Sequence, residues 1–412
     1  MIELYDFQKG KVTTKNTALY WGPGLGKTYS SLDRAAQYGD PRVLVVCQKS
    51  KVDDWIRDIK RFFPDAEEPC NLRKSGWENC VNDNQFSVIN YDLLWRRREA
   101  LSKLTDYTLI CDESSLIKNP SAQRTKAVQR LHPNHIILLS GTPCSGKYEE
   151  LVTQANLLGW KVNKDSFWRS YVRWIDIDIP GKWYPIRKVT GYKNVENLKE
   201  NLRRVGADFK LPEECLDLPD QVFTEIQVEK SSDYNKFART LVLEKSNGEV
   251  ITGDTPLVKL LRLRQLCSSK NKVDALKDFI ETIDDRLIVF YNFNEELQSL
   301  VETTDGRPVS FINGNRVDLE AYENCEDSVT FIQYQAGAYG HNLQKANKIL
   351  FYSPTLSSEQ YEQAKKRIHR IGQNKKCFYW NFVTTGSVEE KIYETLAQRE
   401  DYNLKLFAKD YL

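Results

Sequence analysis

Short apolar runs of strand length recur along the chain, separated by longer stretches whose apolar positions follow a helical period. In the first part the strand candidates are 17–21, 43–47, 86–89, 109–111 and 136–139. Helical patterns fall between them, at 27–38 and 50–62. Strands alternating with helices predict βαβ units and a parallel sheet. The alternation fades after about Gly146. The next stretch, 147–215, is rich in Trp, Lys and Asn. Leu151, Ala155 and Leu158, then Val195, Leu198 and Leu202, are spaced for helices and predict a helical insertion. Residues 211–219, with a proline near each end, read as a linker. The alternation then resumes, with strand candidates at 287–290, 309–312, 329–333, 348–351 and 377–382. Helices fit 272–283, 295–302, 358–370 and 388–405. The expected fold class is α/β, with two parallel-sheet domains and a helical insertion after the first.

Composition narrows the function. Lys and Arg total 59 against 57 Asp and Glu, a net charge of +2. That excludes a basic coat for nucleic acid, so any such site must be a local groove made by charge segregation. The nine cysteines occur singly, with no C-x-x-C pair. Neither a zinc ribbon nor a disulfide framework is expected, and a reducing cytosol fits. Residues 1–8 lack the apolar core of a signal peptide, and no apolar run is long enough to span a membrane.

Four segments carry candidate chemistry. Trp21-Gly22-Pro23-Gly24-Leu25-Gly26-Lys27-Thr28 follows a strand candidate and opens a helix. Gly24 and Gly26 let backbone N–H groups close around phosphates, and the helix N-terminus adds partial positive charge. Lys27 would reach the β- and γ-phosphates, and the Thr28 hydroxyl would bind Mg²⁺. A strict phosphate loop begins with Gly where this chain has Trp21, and a plain glycine turn before a helix is the alternative. In Thr108 to Ser115 an apolar strand ends in Asp112-Glu113. Asp112 would hold the metal and Glu113 would orient the attacking water. An acidic helix start is the simpler account of that pair in isolation. Ser140-Gly141-Thr142-Pro143 could couple the nucleotide site to a neighbouring surface, or be an ordinary turn. Arg367 and Arg370, three apart, would share one helix face and could stabilise a γ-phosphate in transit. A solvated basic helix end is their alternative.

Taken together these residues resemble superfamily 2 helicases, and within them the SWI2/SNF2 ATPases, in a compact bacterial or phage-like form. Gly24 to Thr28 matches the family's nucleotide loop, and Asp112-Glu113 starts its second motif. Ile117-Lys118-Asn119 is similar to the stretch that follows it. Ser140 to Pro143 looks like the third motif, Gly337 to Leu343 the fifth and Arg367 to Gln373 the sixth. Gln8, within Leu4-Tyr5-Asp6-Phe7-Gln8, sits where the family reads adenine. The resemblance runs from about residue 2 to 400. It implies ATP and Mg²⁺ as cofactors, bound between two RecA-like domains. Lys27, Thr28, Asp112 and Glu113 would come from the first, and Arg367 and Arg370 from the second. The implied organisation is an ATP-binding RecA-like domain over 1–146, an insertion or protrusion over 147–215 and a linker with a helical segment over 216–271. A helicase C-terminal RecA-like domain would fill 272–388, with a C-terminal helix over 389–412 packing back on the core. The chain departs from the family at Ser114-Ser115, where Ala-His is usual, and at Ala338 and His341.

The resemblance implies a motor that tracks duplex DNA in the cytoplasm, in the bacterial host cytosol or nucleoid, without regard to sequence. Lys49, Ser50, Lys118, Thr142 and Asn342 are the candidate nucleic-acid contacts. Further basic clusters lie at 96–98, at Arg124, Lys126 and Arg130, and at 365–366 with 375–376. As a group they fit phosphate tracking, although each could be a solvated face. The Trp-rich stretch 168–183 could be a DNA-facing protrusion or a packed subdomain, and Trp55 reads as core. The competing readings are a strand-separating DNA or RNA helicase and a nucleotide-gated nucleic-acid-binding protein. The sequence does not say which protein partners it has.

Overall fold

The computed structural model describes residues 2–144, 147–177, 185–244, 250–253, 256–336 and 342–397. They form two compact units, one through Leu216 and the other from Asp217.

The first unit is built on a seven-stranded sheet. Its strands are β1 (Thr17–Trp21), β2 (Arg42–Cys47), β3 (Cys70–Asn71), β4 (Phe86–Asn90), β5 (Tyr107–Cys111) and β6 (His135–Leu139), with a late addition described below. Alternate side chains of β2 enter two different cores. Leu44 and Val46 join one cluster, while Val43, Val45 and Cys47 join another on the opposite face. Burial on both faces explains why the strand reads as an unbroken apolar run. Helix α1 (Lys27–Tyr38) follows β1 and helix α2 (Val52–Phe62) follows β2.

The expected helical insertion is only partly helical. Helices occupy Val152–Leu158, Lys164–Tyr171 and Val195–Arg204. Between the last two, β7 (Val172–Ile177) and β8 (Ile186–Tyr192) form an antiparallel hairpin. The segment then returns to the main sheet, where β9 (Ala207–Lys210) pairs parallel with β1. The sheet order is β3-β4-β2-β5-β6-β1-β9, and every pairing in it is parallel. The hairpin escaped the pattern because Ile175, Ile177 and Ile186 are exposed, so its alternation marks no buried face. Residues 178–184 of the Trp-rich stretch lie outside the described residues.

The second unit begins earlier than the pattern suggested. Instead of a linker and helix alone, 216–271 holds the strand β10 (Gln221–Val228), the hairpin β11 (Val242–Glu244) with β12 (Val250–Thr252), and helices Ser232–Thr240 and Pro256–Cys267. β10 is an edge strand with polar, mostly exposed residues, which hides it from an apolar-run criterion. The remaining strands are β13 (Leu287–Tyr291), β14 (Val309–Ile312), β15 (Val317–Asp318), β16 (Val329–Gln333), β17 (Lys348–Phe351) and β18 (Cys377–Thr384). Their order is β10-β18-β17-β13-β16-β14-β15, parallel except for the β14–β15 pair. Residues 388–397 are helical, and Ile392, Tyr393 and Leu396 are buried in this unit's core. The rest of the expected C-terminal helix lies outside the described residues.

The cysteines form no framework, but one pair is joined. Cys70 and Cys80 form a disulfide, because β3 and the short helix Trp77–Cys80 bring their Cα atoms to 6.0 Å. The other seven cysteines are free thiols.

Candidate functional site

The order β5-β6-β1 makes these three strands neighbours. Their carboxyl ends therefore bring three loops to one edge of the sheet: Asp112-Glu113, Ser140 to Pro143 and Gly22 to Thr28. Ligands of open parallel sheets bind at that edge.

Trp21 is not a loop residue. It ends β1 fully buried, and its indole Nε1 donates to Asp208 Oδ2 at 2.9 Å. Lys210 Nζ sits 4.2 Å from the ring centroid. The turn starts at Gly22, where a Cβ would lie 2.4 Å from Pro212 Cδ. Gly24 and Gly26 take φ of 86° and 72°, which favours glycine. No side chain caps the N-terminus of α1, and that helix end favours an anion. Lys27 Nζ donates to Trp21 O at 2.9 Å and to Gly22 O at 3.2 Å, holding the ammonium across the loop.

Gln8 closes the loop from the other side. It is buried, accepts from Tyr5 N–H and donates from Nε2 to Leu25 O at 2.9 Å. Arg34 Nη2 donates to Gln8 O at 3.1 Å, anchoring the N-terminal segment on α1.

Asp112 extends the sheet by donating its N–H to Val46 O at 2.8 Å. Its Oδ2 accepts from Trp55 Nε1 at 2.9 Å, and its Oδ1 from Glu113 N–H at 3.1 Å. Tyr91 OH donates to Asp112 O at 2.7 Å. Trp55 is thus both core, as expected, and a holder of the carboxylate; its role was not visible from spacing. Glu113 has φ of 49°, an uncommon left-handed conformation for a side-chain-bearing residue. Burial pushes the Cys47 thiol well up and that of Cys111 up to about 12, so neither thiol at this edge is a nucleophile at neutral pH. Gly141 packs against the phosphate loop, since a Cβ there would be 3.2 Å from Pro23 Cδ. Thr142 N–H donates to Ser140 Oγ at 3.2 Å.

The residues fit ATP with Mg²⁺. Among the described residues no group of three His, Cys, Asp or Glu could hold a metal alone. One carboxylate and one hydroxyl, Asp112 and Thr28, suit a Mg²⁺ that takes its other ligands from phosphate and water.

In the second unit Arg367 and Arg370 are not on a helix. The helix Ser358–Lys365 stops before them, and both lie in an irregular turn, partly buried. Outside side chains take over the backbone there. Tyr379 OH donates to Lys365 O at 3.0 Å, and Gln373 Nε2 donates to Gln344 O, Ala346 O and Ile368 O. His369 Nε2 is 2.9 Å from Pro219 O. Burial lowers the pKa of the Arg370 guanidinium from its usual value. A guanidinium partly out of water gains more from an anionic partner. Leu343 N–H donates to Arg367 O at 3.1 Å, which ties the end of the fifth motif to the sixth. Residues 337–341 of that motif lie outside the described residues.

Lys49 is exposed and Ser50 half-buried, both in the turn Lys49–Lys51 after β2. Lys118 is engaged by Glu150 Oε2 at 2.8 Å, and Asn342 is exposed. Several residues of the basic clusters have partners within the chain. Arg97 lies 4.4 Å from the Trp77 ring and Arg98 4.3 Å from that of Trp95. Arg124 pairs with Asp92 at 2.7 Å, and Lys376 with Asp220 at 3.3 Å. No helix among the described residues is long and apolar enough to cross a membrane.

Two α/β units, the first with a phosphate loop, an Asp-Glu turn and a Ser-Gly-Thr-Pro turn on adjacent strand ends, define a helicase-like nucleotide-binding protein. The chain belongs to the SNF2 family: residues 11–272 match the SNF2-related domain, and residues 271–372 match the helicase conserved C-terminal domain. Similar curated proteins include the Bacillus subtilis "Putative ATP-dependent helicase/translocase YwqA", 24% identical over 92% of this chain and 45% of that protein. The ISWI chromatin-remodeling complex ATPase ISW1 of Saccharomyces cerevisiae is 24% identical over 91% of this chain and 37% of its own length. Human DNA excision repair protein ERCC-6 is 22% identical over 90% of this chain and 29% of its own length. The chain thus spans less than half of each of these relatives. Among solved structures it is similar to the Sulfolobus solfataricus SWI2/SNF2 ATPase core in complex with dsDNA, at 18% identity and a TM-score of 0.43, covering 96% of this chain and 89% of that one.

Proposed function

We propose that this chain hydrolyses ATP and couples the hydrolysis to tracking along double-stranded DNA in the cytoplasm. The observation that carries the reading is the convergence of Gly22 to Thr28, Asp112-Glu113 and Ser140 to Pro143 on adjacent strands of one parallel sheet. The relatives' names, an ATP-dependent helicase/translocase and a DNA excision repair protein, support DNA as the track. Lys27 and the uncapped α1 N-terminus would bind the phosphates, and Gln8 the adenine. Thr28 and Asp112 would hold Mg²⁺, which when bound offsets the phosphate charge. Glu113 would orient and deprotonate water, and Arg367 and Arg370 would stabilise the transferring phosphoryl group. Binding would rest on phosphate contacts, which position the protein without reading bases.

Steady-state ATP hydrolysis is to be measured with no nucleic acid, single-stranded DNA, duplex DNA and RNA, alongside Glu113→Gln. Stimulation by duplex DNA and at least about a hundredfold loss in Glu113→Gln, with nucleotide binding retained, is expected. Stimulation only by single strands or RNA would sink the duplex reading. A strand-separating helicase is the second reading, favoured by the β7–β8 hairpin with its exposed isoleucines, and a strand-displacement assay separates the two.

A further inference from the structure

Gln154, on the helix Val152–Leu158, is fully buried, and sequence patterning gave it no role beyond helix interior. Its side-chain amide is satisfied on three sides by three segments of the site. Oε1 accepts from Ser114 Oγ at 2.8 Å and from Tyr20 OH at 3.0 Å, and Nε2 donates to Pro143 O at 2.6 Å. Ser114 directly follows Glu113, Pro143 directly follows Thr142, and Tyr20 lies on β1 just ahead of the phosphate loop. The same short helix holds the far end of the Asp-Glu segment. Thr153 Oγ1 donates to Lys118 O at 3.1 Å, and Glu150, in the preceding turn, pairs with Lys118 at 2.8 Å. The departure from the family at Ser114 therefore has a partner.

We propose that Gln154 is a positioning residue that locks the Asp112-Glu113 turn to the Ser140 to Pro143 turn, so that nucleic acid acting on the second turn sets the placement of Glu113. The inference rests on the duplex-stimulated ATPase reading above. Gln154 reaches no nucleotide-binding residue's functional group; it acts through the backbone on either side of those residues. A buried amide with directed bonds on both its oxygen and its nitrogen fixes relative position in a way that an apolar side chain of similar size does not. Glu113 needs such constraint, because its left-handed backbone persists only where its surroundings impose it.

The test compares duplex-stimulated and unstimulated ATP hydrolysis in the wild type, Gln154→Leu, Gln154→Glu, Ser114→Ala and Tyr20→Phe. Gln154→Leu is expected to lose about tenfold or more of the stimulated kcat, with KM for ATP within about twofold of wild type. Ser114→Ala should lose part of that stimulation, whereas Tyr20→Phe, which removes a bond to β1 and not to either turn, should keep it. Gln154→Glu should recover activity as pH falls, because a protonated carboxyl can again donate to Pro143 O while accepting from Ser114. A merely structural role would lower the unstimulated and the stimulated rates together and lower the thermal unfolding midpoint, rather than the stimulated kcat alone. Full stimulation in Gln154→Leu and Ser114→Ala, beside a stimulated wild type, overturns the positioning role alone. A wild type that duplex DNA does not stimulate overturns the functional reading as well, and the two failures are thereby distinct.

Discussion

Gly26 leaves no room for a side chain on two independent grounds. Its φ of 72° is unfavourable for any residue with a Cβ, and a Cβ would stand 2.2 Å from Gln8 Nε2. Gln8 would have to release Leu25 O to make space, opening the loop at the point where it meets the N-terminal segment. Gly26→Ala should therefore cost about 1–2 kcal/mol of stability from backbone strain alone. It should also weaken ATP binding more than Gly39→Ala, since Gly39 shares the positive φ but has nothing within 4 Å of its Cβ position. Nucleotide titration and thermal unfolding of the pair measure this; equal ATP affinity in both variants would remove Gln8 from the shaping of the loop. Residue-level placement was legible where spacing carries it: Lys27, Thr28 and Asp112-Glu113 follow the carboxyl ends of β1 and β5. It was illegible where it depends on distant partners. Nothing in the neighbourhood of Asp208 or Gln154 in sequence announces that one holds Trp21 and the other Ser114 and Pro143.

Elements buried on both faces were the ones legible in sequence. β1, β14, β16 and β17 have the bounds that their apolar runs predict, because a central parallel strand has no polar face to interrupt the run. β9 and β10 were missed because their residues are mixed in polarity and their place in the sheets is set by tertiary pairing. The helix expected over 358–370 ends five residues early, since Tyr379 and Gln373 supply partners to backbone groups that a continued helix would use. A similar tertiary tie fixes the opposite ends of the strands that carry the site. Asp40, just after α1, accepts from Thr108 Oγ1 at 2.6 Å, from Asn134 Nδ2 at 2.9 Å and lies 2.8 Å from His135 Nδ1, at the starts of β5 and β6. Burial disfavours its charge, but the hydrogen bonds from His135, Thr108 and Asn134 outweigh it, and its pKa falls below the usual carboxylate value. A lowered folded pKa gives stability that is present above the unfolded pKa and lost as pH falls through the folded one. Asp40→Asn should accordingly cost about 1–3 kcal/mol at neutral pH. The gap from wild type should close as the pH drops below the carboxylate range. Denaturant unfolding across pH reads it directly, and a pH-independent gap would assign the loss to packing.

At the scale of the whole molecule, the two units have separate cores, and the second is closed by a buried ion pair. Lys272 Nζ lies 2.7 Å from both carboxylate oxygens of Glu389, and the two side chains are 0% and 1% exposed. Glu389 Oε2 also accepts from Thr384 N–H at 2.9 Å, and Lys272 Nζ is 5.2 Å from the Tyr352 ring. The pair thus joins the helix Lys270–Glu281 to the end of β18 and to the helical residues 388–397. Burying two charges is costly, and the pair is not needed for net stability so much as each charge needs the other. Lys272→Met alone should therefore destabilise the second unit by about 3–5 kcal/mol, by stranding Glu389. Adding Glu389→Leu should return most of that loss, because an apolar pair of similar volume strands nothing. Hydrogen exchange read by peptide locates the effect. Protection should fall across β13, β16, β17 and β18 and hold in β1, β5 and β6 if the units open independently. A uniform fall across both sheets would mean that the chain unfolds as one cooperative body, and a double variant no more stable than Lys272→Met would mean that Lys272 acts through its packing against Tyr352 and not through its charge.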